Sequence, residues 1–303
     1  DVLGSRGLGD VYKRQILFYA LAATTLALTS CKKNVLETPS AADNAIHIVA
    51  SIASQARAPQ LANDGSGSFS QGDKMSLFLT EDDANNQSVD YEYGSGILTW
   101  GSLGLADSNA KITLAACYPQ QDRIQNGEFE FNTLTASDKD LLLAPAQSVT
   151  AGTSEAVYLN FSHALHRLDL TFTPGESYTS EDLESLSISL NAKTTCVVDG
   201  LQGKIKGVKS ETGTYTTNNT KASFYLVPQS TAGITLKISI GNDTKSLTLD
   251  KLLEQLGSAQ PELNGSKRCT LTLKVSREGI TVEGGSINAW GNQVTADGEV
   301  IIG

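Results

Sequence analysis

The chain is short of the residues that carry most protein chemistry. Its 303 residues include four cysteines, three histidines, two tryptophans and one methionine. The cysteines (Cys31, Cys117, Cys196 and Cys269) are far from CxxC spacing, which argues against a zinc site. With Cys31 set aside for the reason given below, three thiols remain, so at most one disulfide forms and one thiol is left over. Cys117 and Cys269 lie inside apolar runs, and buried free thiols are the expectation. There is no HExxH, no GxSxG and no phosphate-cradling glycine loop, so neither catalysis nor a cofactor is expected. His47 is isolated. His163 and His166, three apart, would face opposite sides of one strand, so a shared metal is not expected. Ser162 beside His163 is not a dyad, because catalytic partners meet through folding rather than adjacency. Positive charge is also scarce. Lys and Arg number 23 against 33 Asp and Glu, a net −10, which argues against binding to the phosphate backbone of nucleic acid. The acidic clusters Glu81-Asp82-Asp83 and Glu181-Asp182…Glu184 lack the alternating oxygens and central glycine of a calcium loop, and read as solvated loops. After Cys31 no run is apolar and long enough to span a bilayer.

The one long uncharged run lies near the start. Ile16–Cys31 (ILFYALAATTLALTSC) reads as the apolar region and cleavage site of a secretory signal. It is too short for a membrane span, which takes about twenty residues. A cysteine directly after small residues resembles the lipobox of bacterial lipoproteins, in which the thiol is acylated; Cys31 is the expected lipidation site and lipid anchor. Residues 1–15 lack the usual amino-terminal region and read as non-native read-through, with DVYKRQ matching a translated sequencing adapter. Residues 31–44 read as a polar tether.

The remainder is patterned for strands. Ala45–Ile52 (AIHIVASI) alternates, with Ile46, Ile48, Ala50 and Ile52 on one face. Strand-like runs follow at Lys74–Thr80, Gly96–Trp100, Ala110–Ala116, Asp140–Pro145, Ala156–Phe161, Leu165–Thr173, Ser185–Leu190, Ser223–Val227, Ile234–Ile240, Cys269–Val275 and Gly279–Glu283. Turn signals such as TPGES, TNNT and IGNDT separate them. Glu81–Gly96, acidic and Asn-rich, reads as a loop. Only Leu249–Leu256 (LDKLLEQL) has helical spacing. The expected class is all-β, with sandwiches over 45–163 and 164–303. Tyr91, Tyr93 and Trp100 are a candidate sugar platform, against the plainer reading of strand-edge aromatics.

Several segments recur together in one family. Gly72-Asp73, Trp100, Ala115–Pro119 (AACYP), Asp140–Ala144 (DLLLA), Phe161–Leu168 (FSHALHRL), Leu226–Gln229 (LVPQ) and Ile287–Trp290 (INAW) resemble, in order, the signatures of the fimbrillins of Bacteroidota. These are pilins and associated subunits of type V pili. The resemblance implies two transthyretin-like β-sandwich domains. It also implies export as a lipoprotein to the outer membrane, then cleavage after a basic residue by a trypsin-like, Arg-specific protease. The first strand then leaves, and the groove takes a strand from another fimbrial subunit.

The chain has candidate parts for each step. The leaving strand is Ala45–Ile52. Arg57 is the only Lys or Arg between Lys33 and Lys74, and so the candidate cut site. The candidate donor lies in the tail, with Val294, Val300, Ile301 and Ile302; an ordinary last strand pairing in its own domain is the alternative. The competing functional reading is an outer-membrane surface lipoprotein that binds a glycan or a protein partner without polymerising. The surface receptor is not legible in the sequence.

Overall fold

The computed structural model describes residues 44–52, 67–81, 85–105, 109–257 and 261–290. Their strands are β1 (Ile48–Ile52), β2 (Lys74–Glu81), β3 (Asn85–Glu92), β4 (Lys111–Tyr118), β5 (Glu128–Asn132), β6 (Leu142–Thr150) and β7 (Val157–His163) in the first half. The second half carries β8 (His166–Pro174), β9 (Leu186–Lys193), β10 (Thr195–Asp199), β11 (Lys204–Val208), β12 (Thr212–Thr217) and β13 (Lys221–Leu226). It continues with β14 (Gln229–Ser230), β15 (Thr235–Ile240), β16 (Asp243–Thr248), β17 (Glu262–Leu263), β18 (Lys267–Val275) and β19 (Ile280–Ala289). A single short helix, α1 (Leu249–Glu254), interrupts them among the described residues. The fold is all-β, as its patterning requires.

A six-stranded sheet, in the order β1-β7-β6-β4-β2-β3, organises the first half. Its middle strands are buried on both faces, which is why KMSLFLT and ITLAACY read as near-continuous apolar runs rather than alternations. Met75, Leu77, Leu79, Ile112 and Leu114 enter one core, whereas Phe78, Ala115 and Cys117 enter another on the opposite face. β7 meets β6 at only two register pairs, Leu142↔His163 and Leu143↔Ser162. Beyond them it pairs with β1 alone, and Leu159 and Phe161 lie in the same core as Leu77 and Leu114.

In the second half two four-stranded sheets, β12-β9-β15-β16 and β13-β8-β18-β19, face each other. Alternate residues of each, such as Ile188 and Leu190 against Leu168, Leu170 and Leu271, fill the core between them. Leu249, Leu252 and Leu253 of α1 cover one end of that core. A third, smaller sheet joins the halves: β5 pairs antiparallel with β10, which also pairs with β11. Phe129 and Phe131 of β5 and Cys196 and Val198 of β10 pack with Phe78, Leu165 and Trp290.

Two local expectations are corrected. Glu81–Gly96 is not a loop: β3 pairs with β2 from Lys74↔Glu92 to Glu81↔Asn85. β3 is the last strand of its sheet and mostly exposed, so its polar sequence meets no apolar demand. Conversely, Gly96–Trp100 is no strand. It makes one isolated bridge, Ala45↔Thr99, before a 3-10 turn at Gly101–Leu103.

Candidate functional site

The opening segment is built into the core. Ile46, Ala50 and Ile52 are buried, Ile48 is half-buried, and His47, Val49 and Ser51 face outward. The inward side chains join Phe69, Leu98, Trp100, Leu103, Val157, Leu159 and Phe161 in one apolar cluster. Each buried isoleucine contributes roughly 1.5–3 kcal/mol.

Main-chain bonds hold the segment on both sides. β1 runs parallel to β7, with Ile48↔Val157, Ala50↔Leu159 and Ile52↔Phe161 in register. Val157 N–H donates to His47 O at 2.7 Å. On the other side Ile46 N–H donates to Leu98 O at 2.8 Å and Trp100 N–H to Asn44 O at 3.0 Å. The Ser51 hydroxyl bonds Asn160 Oδ1 at 2.8 Å. β1 is nevertheless the end strand of its sheet. Lifting it out would strip β7 of pairing partners and uncover an apolar trough. Parallel pairing is slightly weaker per residue than antiparallel, so this is the less firmly held kind of edge.

The remaining parts of the expected machinery, namely Cys31, Arg57 and the tail residues Val294, Val300, Ile301 and Ile302, lie outside the described residues.

A second constellation sits where the two halves meet. His163 Nδ1 donates to Asp140 Oδ2 at 2.7 Å, and both residues are buried. The Trp290 ring stacks on His163 with centroids 3.7 Å apart and planes 9° apart. Ser266 ties the ends together: its hydroxyl donates to His163 O at 2.5 Å, and Trp290 N–H donates to Ser266 O at 2.8 Å. Asp140 Oδ1 also accepts from Leu141 N–H at 2.9 Å, just before β6 begins.

These residues are the signature segments themselves, DLLLA, FSHALHRL and INAW, brought to one point. A family model described as fimbrillin-like matches residues 57–290. The chain belongs to the fimbrillin-like family. Two solved structures agree with the fold, and a third, given last, is more distant. A candidate cell adhesion protein from Bacteroides uniformis superposes with TM-score 0.59 at 18% identity, covering 73% of this chain and 93% of that one. Another from Bacteroides ovatus gives 0.55 at 16% identity, over 81% and 97%. The fimbrial anchor protein Mfa2 from Porphyromonas gingivalis gives 0.41 at 11%, over 81% and 98%. No curated protein matches the sequence.

The other signatures of this fimbrillin-like protein are structural in the same sense. Gly72 takes φ +96°, open to glycine, while Asp73 Oδ2 accepts from Ser70 N–H at 2.7 Å, closing the turn into β2. Trp100 is fully buried and its Nε1–H donates to Thr153 O at 3.0 Å. The Gln229 amide clamps Lys193, accepting from its N–H at 2.8 Å and donating to its O at 3.1 Å.

Four other sequence expectations can be placed. The sugar platform does not exist as such: Trp100 is buried and Tyr91 nearly so. His163 and His166 do not share a strand, since β7 ends at His163 and β8 begins at His166. His166 Nδ1–H donates to Asn264 O at 2.9 Å, and burial pushes the ring's pKa down. Asp182 is spent on a turn, accepting from Thr179 N–H at 2.7 Å, and no metal-holding group of three or more His, Cys, Asp or Glu occurs among the described residues. Cys117, Cys196 and Cys269 are free and buried, and burial pushes each thiol up to about 12.

Proposed function

We propose that this chain is the lipid-anchored precursor of a fimbrial subunit, serving adhesion at the cell surface and assembling by donor-strand exchange. In this reading Cys31 carries the lipid, and an Arg-specific protease cuts after Arg57. The segment Ala45–Ile52 then departs with the lipid, and a strand from a sister subunit enters its place. The residues Val294, Val300, Ile301 and Ile302 would supply that strand. Fimbrillin-like family membership supports the fimbrial and adhesive part.

The observation that carries the exchange step is the seat of β1. It is an end strand, parallel to its one neighbour, yet Ile46, Ala50 and Ile52 are sunk into the core. An element so placed leaves a trough that is apolar at alternate positions and lined by unpaired main chain. Those are the two features a donor strand satisfies. Because donor and acceptor are different surfaces, the contact is head-to-tail and extends into a filament.

Mass spectrometry of sheared filaments tests this. The expected chain starts at Ala58 and lacks lipid. Arg57→Ala should leave a lipidated, unpolymerised precursor. Normal polymerisation of that variant would overturn processing at this position.

A further inference from the structure

The seam of the C-terminal sandwich holds an unassigned cleft. β12 and β13 are the end strands of facing sheets on one side, consecutive in sequence and not paired to each other. A cleft of about 460 Å³ lies along them and is closed at one end by the segment that follows β5. That closure is fixed. The Thr133 hydroxyl bonds the Tyr215 hydroxyl and donates to Thr194 O at 3.1 Å. Leu134 packs on Gly213 so closely that a Cβ there would lie 2.5 Å from Leu134 Cδ1. Lys139 Nζ donates to Leu134 O at 2.8 Å.

The lining has one sign of charge. It includes Lys139 and Lys221 and no aspartate or glutamate, in a chain of net −10. Neither lysine forms an ion pair among the described residues. Of the acids near the cleft, Asp140 is bonded to His163 and Asp169 to two arginines. Asp169, register partner of Ser223, receives Arg167 Nε at 2.9 Å and Arg268 Nε at 2.6 Å, so two guanidinium groups share one carboxylate. Two lysines without an ion pair thus line the cleft, and the acids near its Tyr225 end, Asp138, Asp140 and Asp169, lie outside the lining. The rest of the accessible lining mixes hydroxyl and amide groups, from Thr214, Thr216, Thr217, Ser223 and Asn219, with the half-buried apolar surfaces of Leu134 and Tyr225.

We infer that this cleft binds an acidic saccharide. Its volume lies in the range of small-ligand sites, about 300–1,000 Å³. The lysine ammoniums would hold the carboxylates, and the threonine hydroxyls and the Asn219 amide would bond sugar hydroxyls. An extended peptide fits less well, because strand addition needs apolar pockets at alternate positions. Here the apolar residues of both strands, Tyr215, Ala222 and Phe224, are committed to the core. This inference does not depend on strand exchange.

Titration calorimetry on the purified chain with tetragalacturonate, and with its methyl ester, tests it. The ester keeps the hydroxyls and loses the charge. Tetragalacturonate should bind. The ester, and the acid tested on Lys221→Gln or Lys139→Gln, should bind about two- to fivefold more weakly, the scale of one exposed charge pair. Lys237→Gln, exposed on β15, should change nothing. Absence of binding, equal affinity for the ester, insensitivity to both cleft lysines, or equally tight binding of tetraglutamate would each overturn the assignment.

Discussion

Asp140, His163 and Trp290 come from three distant segments, and their meeting is what the two halves share at the level of single side chains. Replacing Trp290 by alanine removes a stacked, nearly buried ring, and should cost about 3–5 kcal/mol in chemical denaturation. Asp169 makes a pH-dependent contribution. Burial alone would raise its carboxyl, but hydrogen bonds from Ser223, Arg167 and Arg268 outweigh that and hold it below the ordinary 3.8. Its folded-state pKa is thus depressed, so its stabilisation is complete above the unfolded value and is lost as pH falls through the folded one. Asp169→Asn should therefore lower Tm at neutral pH and flatten the acid limb of the Tm profile; an unchanged limb would refute the assignment. The three buried thiols, raised to about 12, should resist iodoacetamide in the native protein at pH 8 and all react in denaturant, read by peptide mass.

Among elements, β1 is legible in sequence because its alternation survives at the edge: the apolar half of AIHIVASI has a core to enter. The strands that pattern reading passes over are mostly those for which no core makes a demand. β3, β11, β12 and β16 are all end strands, rich in polar residues, and what defines them is main-chain pairing to a neighbour. β5 differs. Its EFEFN alternation is plain, but its partner β10 lies in the other half, and no local signal announces such a pairing. The docking of β1 makes a prediction at this scale. Ser51 and Asn160 are outward-facing register partners, so cysteines placed at both should bridge β1 to β7. The oxidised double variant should be cut but not polymerise, and a reductant should restore assembly, read by sedimentation of filaments. Assembly of the oxidised form would argue against departure of β1.

For the whole molecule, the shared apolar cluster of Phe78, Phe129, Leu165, Cys196 and Trp290 makes the two halves interdependent. Calorimetric unfolding should accordingly show one cooperative transition, not two. The two layers of the second half were readable from alternating strands. The joint sheet was not, nor was the convergence of the signature segments, because neither leaves a periodic mark. His163 shows why: its sequence context suggests nothing about Asp140 or Trp290, and the tertiary fold alone brings them into contact.

The central claim is that β1 is a temporary occupant of a groove flanked by β7. Hydrogen exchange at the β7 amides between Val157 and Phe161 reads that groove directly, in the intact precursor, in the cleaved monomer and in the filament. The account predicts strong protection, then a large loss, then protection regained. Equal protection in all three states would contradict it.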